Sequence, residues 1–179
     1  MKLKRKICLV IVIVFVFLIG ITYSIIPKFR YYNSVEDAVN QDRIFNGSEY
    51  LGQLESNDIC KVLYNKKGDS IYSQYLVKEE RKWKVIDVQD FFILKRSELN
   101  ATVNYYKIGE KHIISISDLS IQGEVKDVHD SVSSNFAYFQ YDFPETYGQT
   151  TSVVEWMVVF DALPENYSIT VDGETVAID

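Results

Sequence analysis

Two histidines, two cysteines and three prolines are all that a chain of 179 residues holds of those types, with only eight glycines. Each scarcity excludes something. So few Pro and Gly leave no long flexible linker between domains. Cys8 opens the apolar N-terminal run, so Cys60 is the only cysteine beyond it and no disulfide closes within the rest of the chain. His112 and His129 are too far apart in sequence for a local zinc motif. Signatures of the common hydrolases and nucleotide-binding folds (G-x-S-x-G, a Walker loop, H-E-x-x-H) are missing as well. With 25 Asp and Glu against 19 Lys and Arg, the chain is also a poor match for nucleic acid. What is present is ordinary for one globular domain with an appendage: 47% hydrophobic and 25% charged residues.

The formal charge of −6 divides unevenly along the chain. Residues 1–30 hold six bases (Lys2, Lys4, Arg5, Lys6, Lys28, Arg30) and no acid. Residues 31–111 hold 12 bases and 13 acids, a net of −1. Residues 112–179 hold 12 acids and one base, Lys126, a net of −11. The acidity is concentrated in the last third.

Ile7 to Ile26 is a run without a charge, mostly Val, Ile, Leu and Phe. At about 1.5 Å per residue, a helix of that length spans roughly the 30 Å hydrocarbon core of a bilayer. Four bases precede the run and two follow it, which orients the N-terminus toward the cytoplasm. Residues 1–6 then form a basic cytoplasmic tail, 7–27 a transmembrane helix, 28–47 a juxtamembrane segment with a short helix, and 48–179 an extracytoplasmic β-rich domain. The rival reading is a cleaved signal peptide, which would make the protein secreted. It is disfavoured because signal h-regions run only about 7–15 residues and Thr22-Tyr23-Ser24 is a poor cleavage site.

Ser34-Val-Glu-Asp37 reads as a helix start, with Ser34 as N-cap, acids in the first turn, and an end near Asn46-Gly47. Beyond residue 48 the signals are for strands: Ile59–Tyr64, Ser70–Lys78, Lys82–Val88, Thr102–Ile108, His112–Ser117, Ile121–Val128, Phe136–Phe143, Ser152–Phe160, Ser168–Val171 and Thr175–Ile178. Asp90 to Leu99 fits a short helix or a strand. Asp172-Gly173 is the strongest hairpin turn in the chain. Trp83 and Trp156 read as buried anchors of central strands. The expected architecture is mainly β (α+β): a transmembrane helix, a linker helix, then an antiparallel sheet or sandwich of about nine strands.

A basic cap, one apolar span, the helix containing Asp37-Ala38-Val39, a Tyr-rich meander ending in Trp83 and the hairpin Tyr167-Ser-Ile-Thr-Val-Asp-Gly173 form a layout. It resembles the small, uncharacterised single-pass membrane proteins of low-GC Gram-positive bacteria. The resemblance covers the layout of the chain and implies location and architecture, with no chemistry to carry over.

Three groups are candidates for chemistry or contact. Cys60 with a histidine would make a nucleophile pair, but its place among alternating apolar neighbours favours a buried structural cysteine. Asp118, Glu124, Asp127 and Asp130 offer oxygen ligands of the kind calcium takes, near His129, but their spacing is not that of a calcium loop and a solvated strand face accounts for them more simply. Tyr138, Tyr141 and Tyr147 would present an aromatic contact surface if one face of the Phe136–Phe143 strand is exposed, but core packing with the Tyr hydroxyls reaching the surface is the favoured account. No cofactor is expected. The expected function is a membrane-anchored extracytoplasmic interaction or sensory module without catalysis, whose region 112–179 meets a cationic protein or a metal ion. The alternatives are an exported enzyme acting on envelope polymers and a purely structural envelope protein.

Overall fold

The computed structural model describes residues 11–17, 19, 30–66, 70–93, 101–121, 127–143 and 151–178. The protein is mainly β, with eleven strands in three antiparallel sheets among the described residues. Helix α1 (Val35–Gln41) and a 3₁₀ turn (Arg43–Phe45) precede the strands. Sheet A follows as a meander of β1 (Glu49–Ser56), β2 (Ile59–Asn65), β3 (Ser70–Glu79) and β4 (Lys82–Ile93). Sheet B contains β5 (Thr102–Ile108), β6 (Lys111–Ile121), β8 (Ala137–Asp142) and β9 (Thr151–Phe160), in the order β5-β6-β9-β8. The small sheet C contains β7 (Val128–Asp130), β10 (Ser168–Val171) and β11 (Glu174–Ala177), in the order β11-β10-β7.

The antiparallel, β-rich expectation holds, with eleven strands where about nine were expected. The unforeseen strand is β1, where Gly52 and the polar Glu49, Gln53 and Glu55 blur the alternation. The expected strand Ile121–Val128 is described only at its two ends. Its ends belong to β6 and β7, and residues 122–126 lie outside the described residues. The Asp90–Leu99 ambiguity resolves toward strand up to Ile93.

The sheets and helix stack as layers, and strand alternation explains the order. On β2, Ile59 and Leu63 point toward sheet B, while Cys60, Val62 and Tyr64 point toward α1; all are buried. The inter-sheet core joins Leu54, Ile59, Leu63, Ile71 and Tyr75 of sheet A to Ile113, Val153, Met157 and Val159 of sheet B. On the far side of sheet B, Ile114, Ile116, Val154, Trp156 and Val158 pack against Tyr167 and Ile169. The run Ser152–Val159 is buried throughout because β9 is covered on both faces. Each fully buried aliphatic side chain contributes roughly 1.5–3 kcal/mol, so the two central interfaces dominate the fold's stability.

Close approach of the sheets requires a glycine. Gly52 follows a bulge in β1, and the Phe139 ring of β8 lies where its side chain would be. A Cβ there would fall 2.1 Å from Phe139 Cε2. A second bulge, in β4, leaves carbonyls out of register with β3. Gln74 repairs it by donating from Nε2 to the carbonyl of Ile86 and, at 3.1 Å, to that of Val88.

Residues 11–17 are helical, and their Ile, Val and Phe side chains are 51–70% exposed. Among the described residues no helix is long and apolar enough to cross a membrane. Most of the expected span 7–27 lies outside the described residues.

Candidate functional site

The chain enters the domain through a clamp. Tyr32 forms a two-bond bridge with Trp83 of β4, Tyr32 N donating to the Trp83 carbonyl at 2.7 Å and Trp83 N to the Tyr32 carbonyl at 2.8 Å. Tyr31 OH donates to Glu79 Oε2 at 2.7 Å, and the Lys84 ammonium lies 5.7 Å from the Tyr31 ring centre. Tyr32 OH donates to Asp42 Oδ2 at 2.7 Å, and burial together with that carboxylate pushes the phenol up to about 12. Trp83 is buried as expected, but on the edge strand of sheet A rather than a central one. The bridge and the helix cover it instead of a neighbouring strand.

From this clamp the chain turns into α1. Ser34 caps it, its Oγ accepting from Asp37 N at 3.0 Å, and Val35 and Ala38 anchor it on Cys60, Val62 and Leu76. Only seven residues long, the helix cannot cover the outer face of sheet A. Beside it runs a groove of two adjoining sections that share Val39, Asn40 and Tyr50. The larger, about 780 Å³, lies between the helix residues Ser34, Glu36 and Asn40 and the β1 residues Tyr50, Gln53 and Glu55, with Trp83 at its end. The smaller, about 430 Å³, continues past Asp42 and Arg43 to Asn46, Gly47 and Ser48. Both volumes fall in the range of small-ligand sites. Neither the groove nor its carboxylates were foreseen, because nothing local in the sequence shows where a short helix will stop covering a sheet.

A second polar feature, also unforeseen, is sealed between sheets A and B. Lys61 and Glu155 are both fully buried and lie 2.7 Å apart, Nζ to Oε2. Lys61 Nζ also donates to Ser115 Oγ at 2.8 Å, Ser117 Oγ donates to Glu155 Oε2 at 2.9 Å, and the ammonium lies 5.7 Å from the Tyr75 ring centre. One partner comes from each sheet. The signal was a lone Lys in Ile59–Leu63 and a lone Glu in Ser152–Phe160, opposite charges in two otherwise apolar strands. A buried charge needs a partner, and each was the other's. With both groups fully enclosed, no substrate reaches the ammonium without the sheets parting.

Cys60 lies among Val35, Ala38, Val62 and Leu76, fully buried. Burial, then the charge of Glu55, pushes its thiol up to about 12. It points toward α1, whereas His112 faces away from sheet A on the far side of sheet B, so the two cannot form a dyad. That geometry removes the Cys60-based enzyme. His112 Nδ1 instead pairs with Tyr105 OH at 2.7 Å under a stacked ring.

The oxygen-ligand candidates scatter. Asp118 is buried on β6. Asp130 is held below the usual carboxylate range: burial works to raise it, but hydrogen bonds from Ser134, Tyr167 and Val132 outweigh burial. Asp127 is exposed 3.6 Å from His129, and Glu124 lies outside the described residues. Among the described residues no three His, Cys, Asp or Glu groups come together to hold a metal ion.

Of the tyrosines, Tyr138 is 47% exposed, its OH donating to Gln140 Oε1 at 2.7 Å and its ring tilted against Trp156. Tyr141 packs edge-on against Phe143, and Tyr147 lies outside the described residues. On the opposite side of β8, Ala137, Phe139 and Phe143 pack into the inter-sheet core.

No family model, curated protein or solved structure matches the chain.

Proposed function

We propose that this protein is a membrane-anchored, extracytoplasmic interaction or sensory module that acts by contact rather than catalysis. One observation carries the reading: the groove beside α1 opens next to the Tyr32–Trp83 clamp where the N-terminal segment joins the domain. A partner seated there would sit at the root of the anchor. The apolar run 7–27 between basic flanks supports the anchor and its orientation, and exposed Ile, Val and Phe side chains at 11–17 suit lipid contact. The Cys60 thiol and the Lys61 ammonium are both enclosed, out of reach of a substrate at the surface.

A cationic partner remains part of the proposal, but its docking place moves. Four of the 12 acids of residues 112–179 already have partners: Glu155 with Lys61 and Asp130 with Tyr167 in the interior, Asp161 with Lys111 at 2.5 Å and Asp142 with Ser152 at 2.6 Å at the surface. The test is topology. Glu174 on the exposed edge strand β11 is replaced by Cys (Glu174→Cys) and intact cells are treated with a membrane-impermeant maleimide. The reading expects labelling without lysis, and an intact mass that retains residues 1–27. Labelling only after lysis contradicts the location, and a mass lacking those residues contradicts the anchor.

A further inference from the structure

Glu36 on the helix wall and Glu55 on the strand wall line the same groove, and both are exposed. Neither makes an ion pair or hydrogen bond with a described residue. The described bases nearby are engaged: Arg30 donates from Nη1 to the Gln41 carbonyl at 3.4 Å, and Lys84 faces Glu79 at 3.8 Å. Other exposed carboxylates, such as Glu110 and Glu174, stand on convex hairpin ends. Here two of them stand over a concave surface, and neither forms an ion pair with Arg43, the one described base in its lining.

The shape narrows the occupant. A lone metal ion needs converging ligands, and no such group exists among the described residues. A seven-residue helix is about 10 Å long, the length of roughly three extended residues. The groove therefore has the dimensions of a short strand of peptide rather than of an ion. Its uncharged polar groups suit one: the Asn40 and Gln53 amides can bond peptide N–H and C=O groups. Tyr50, 47% exposed where the two sections meet, offers a ring face for a cationic side chain. In the lower wall, Ser48 Oγ is buried without a hydrogen-bond partner among the described residues.

We propose that the groove between α1 and β1 binds a basic, extended peptide segment of a partner protein, placing a Lys or Arg side chain against Glu36, Glu55 and the Tyr50 ring. This deepens the interaction-module reading and rests on it for biological context, but the binding does not depend on which side of the membrane the domain faces.

The test uses the purified full-length chain in mild detergent and two fluorescent peptides, one alternating Lys or Arg with Thr, the other alternating Glu with Thr. The basic peptide is expected to bind and the acidic one not. Affinity should fall roughly tenfold in the doubly substituted Glu36→Gln, Glu55→Gln chain, and similarly when salt rises from about 50 to about 500 mM. Asn40→Trp, on the exposed face of the helix, fills the groove without altering charge and should also weaken binding, with circular dichroism confirming that the variant is folded. Absence of binding by the wild type overturns the proposal. So does an affinity unchanged in both variants, which would place the peptide elsewhere on the acidic surface, or equal binding of spermine, which would make the site one for polyamines. Binding that survives while topology labelling fails would retire the extracytoplasmic location and leave the groove. The reverse outcome would retire the groove alone.

Discussion

The two faces of sheet A handle charge in opposite ways. Toward sheet B, a whole second sheet closes over the strands, and Lys61 is accepted only with Glu155 and two serine hydroxyls around it. Toward α1, a seven-residue helix covers the middle of the sheet and leaves its β1 side open, and there Glu55 and Glu36 stand without a basic partner among the described residues. The difference is one of coverage. Where a layer is complete, desolvation forces every charge to find a partner; where it is partial, a charge can remain available to a ligand.

The largest effect expected from breaking this contrast lies on the closed face. Lys61→Met strands Glu155 and should cost about 3–5 kcal/mol in urea or thermal unfolding, while adding Glu155→Leu should recover most of the loss. A single variant as stable as wild type would mean that the pair is not enclosed. Next is Gly52→Ala, whose methyl group displaces the Phe139 ring and should cost about 1–3 kcal/mol. On the open face, Ser34→Ala removes the N-cap bond and should cost about 1 kcal/mol, loosening the groove's helical wall without disturbing the sandwich. Cys60 has no effect at neutral pH and acts only in alkali. Its folded-state thiol is raised, so the folded protein holds that proton more tightly than the unfolded chain. Stability is therefore complete below the unfolded value of 9.0 and is lost as pH rises from there toward about 12. Cys60→Val should flatten that alkaline limb when unfolding is followed against pH.

How much of this was legible depended on how local each cause was. Alternation and turn residues placed most strands, because Ile59–Tyr64 or Ser152–Phe160 reads as strand in any context. Ser34 announced its helix because an N-cap acts within three residues. By contrast, β1 was hidden by Gly52, whose reason is a ring from β8, 87 positions further along the chain. Lys61 and Glu155, 94 residues apart, become partners only once the two sheets stack. Counting charge by segment pointed to the last third; folding buried Asp118, Asp130 and Glu155 of that region and set Glu36 and Glu55 over a groove near the N-terminus. Composition reports how much charge exists; coverage by other layers decides where it can act.

The measurement that tests this account most directly is carboxylate footprinting of the native full-length chain by carbodiimide-driven amine labelling and mass spectrometry, with and without the basic peptide. The account predicts rapid labelling of Glu36 and Glu55 and protection of Glu155, Asp118 and Asp130. It also predicts that the peptide suppresses labelling at Glu36 and Glu55 ahead of the other exposed carboxylates. Labelling of Glu155 as fast as Glu36, or peptide protection confined to residues 112–179, would contradict it.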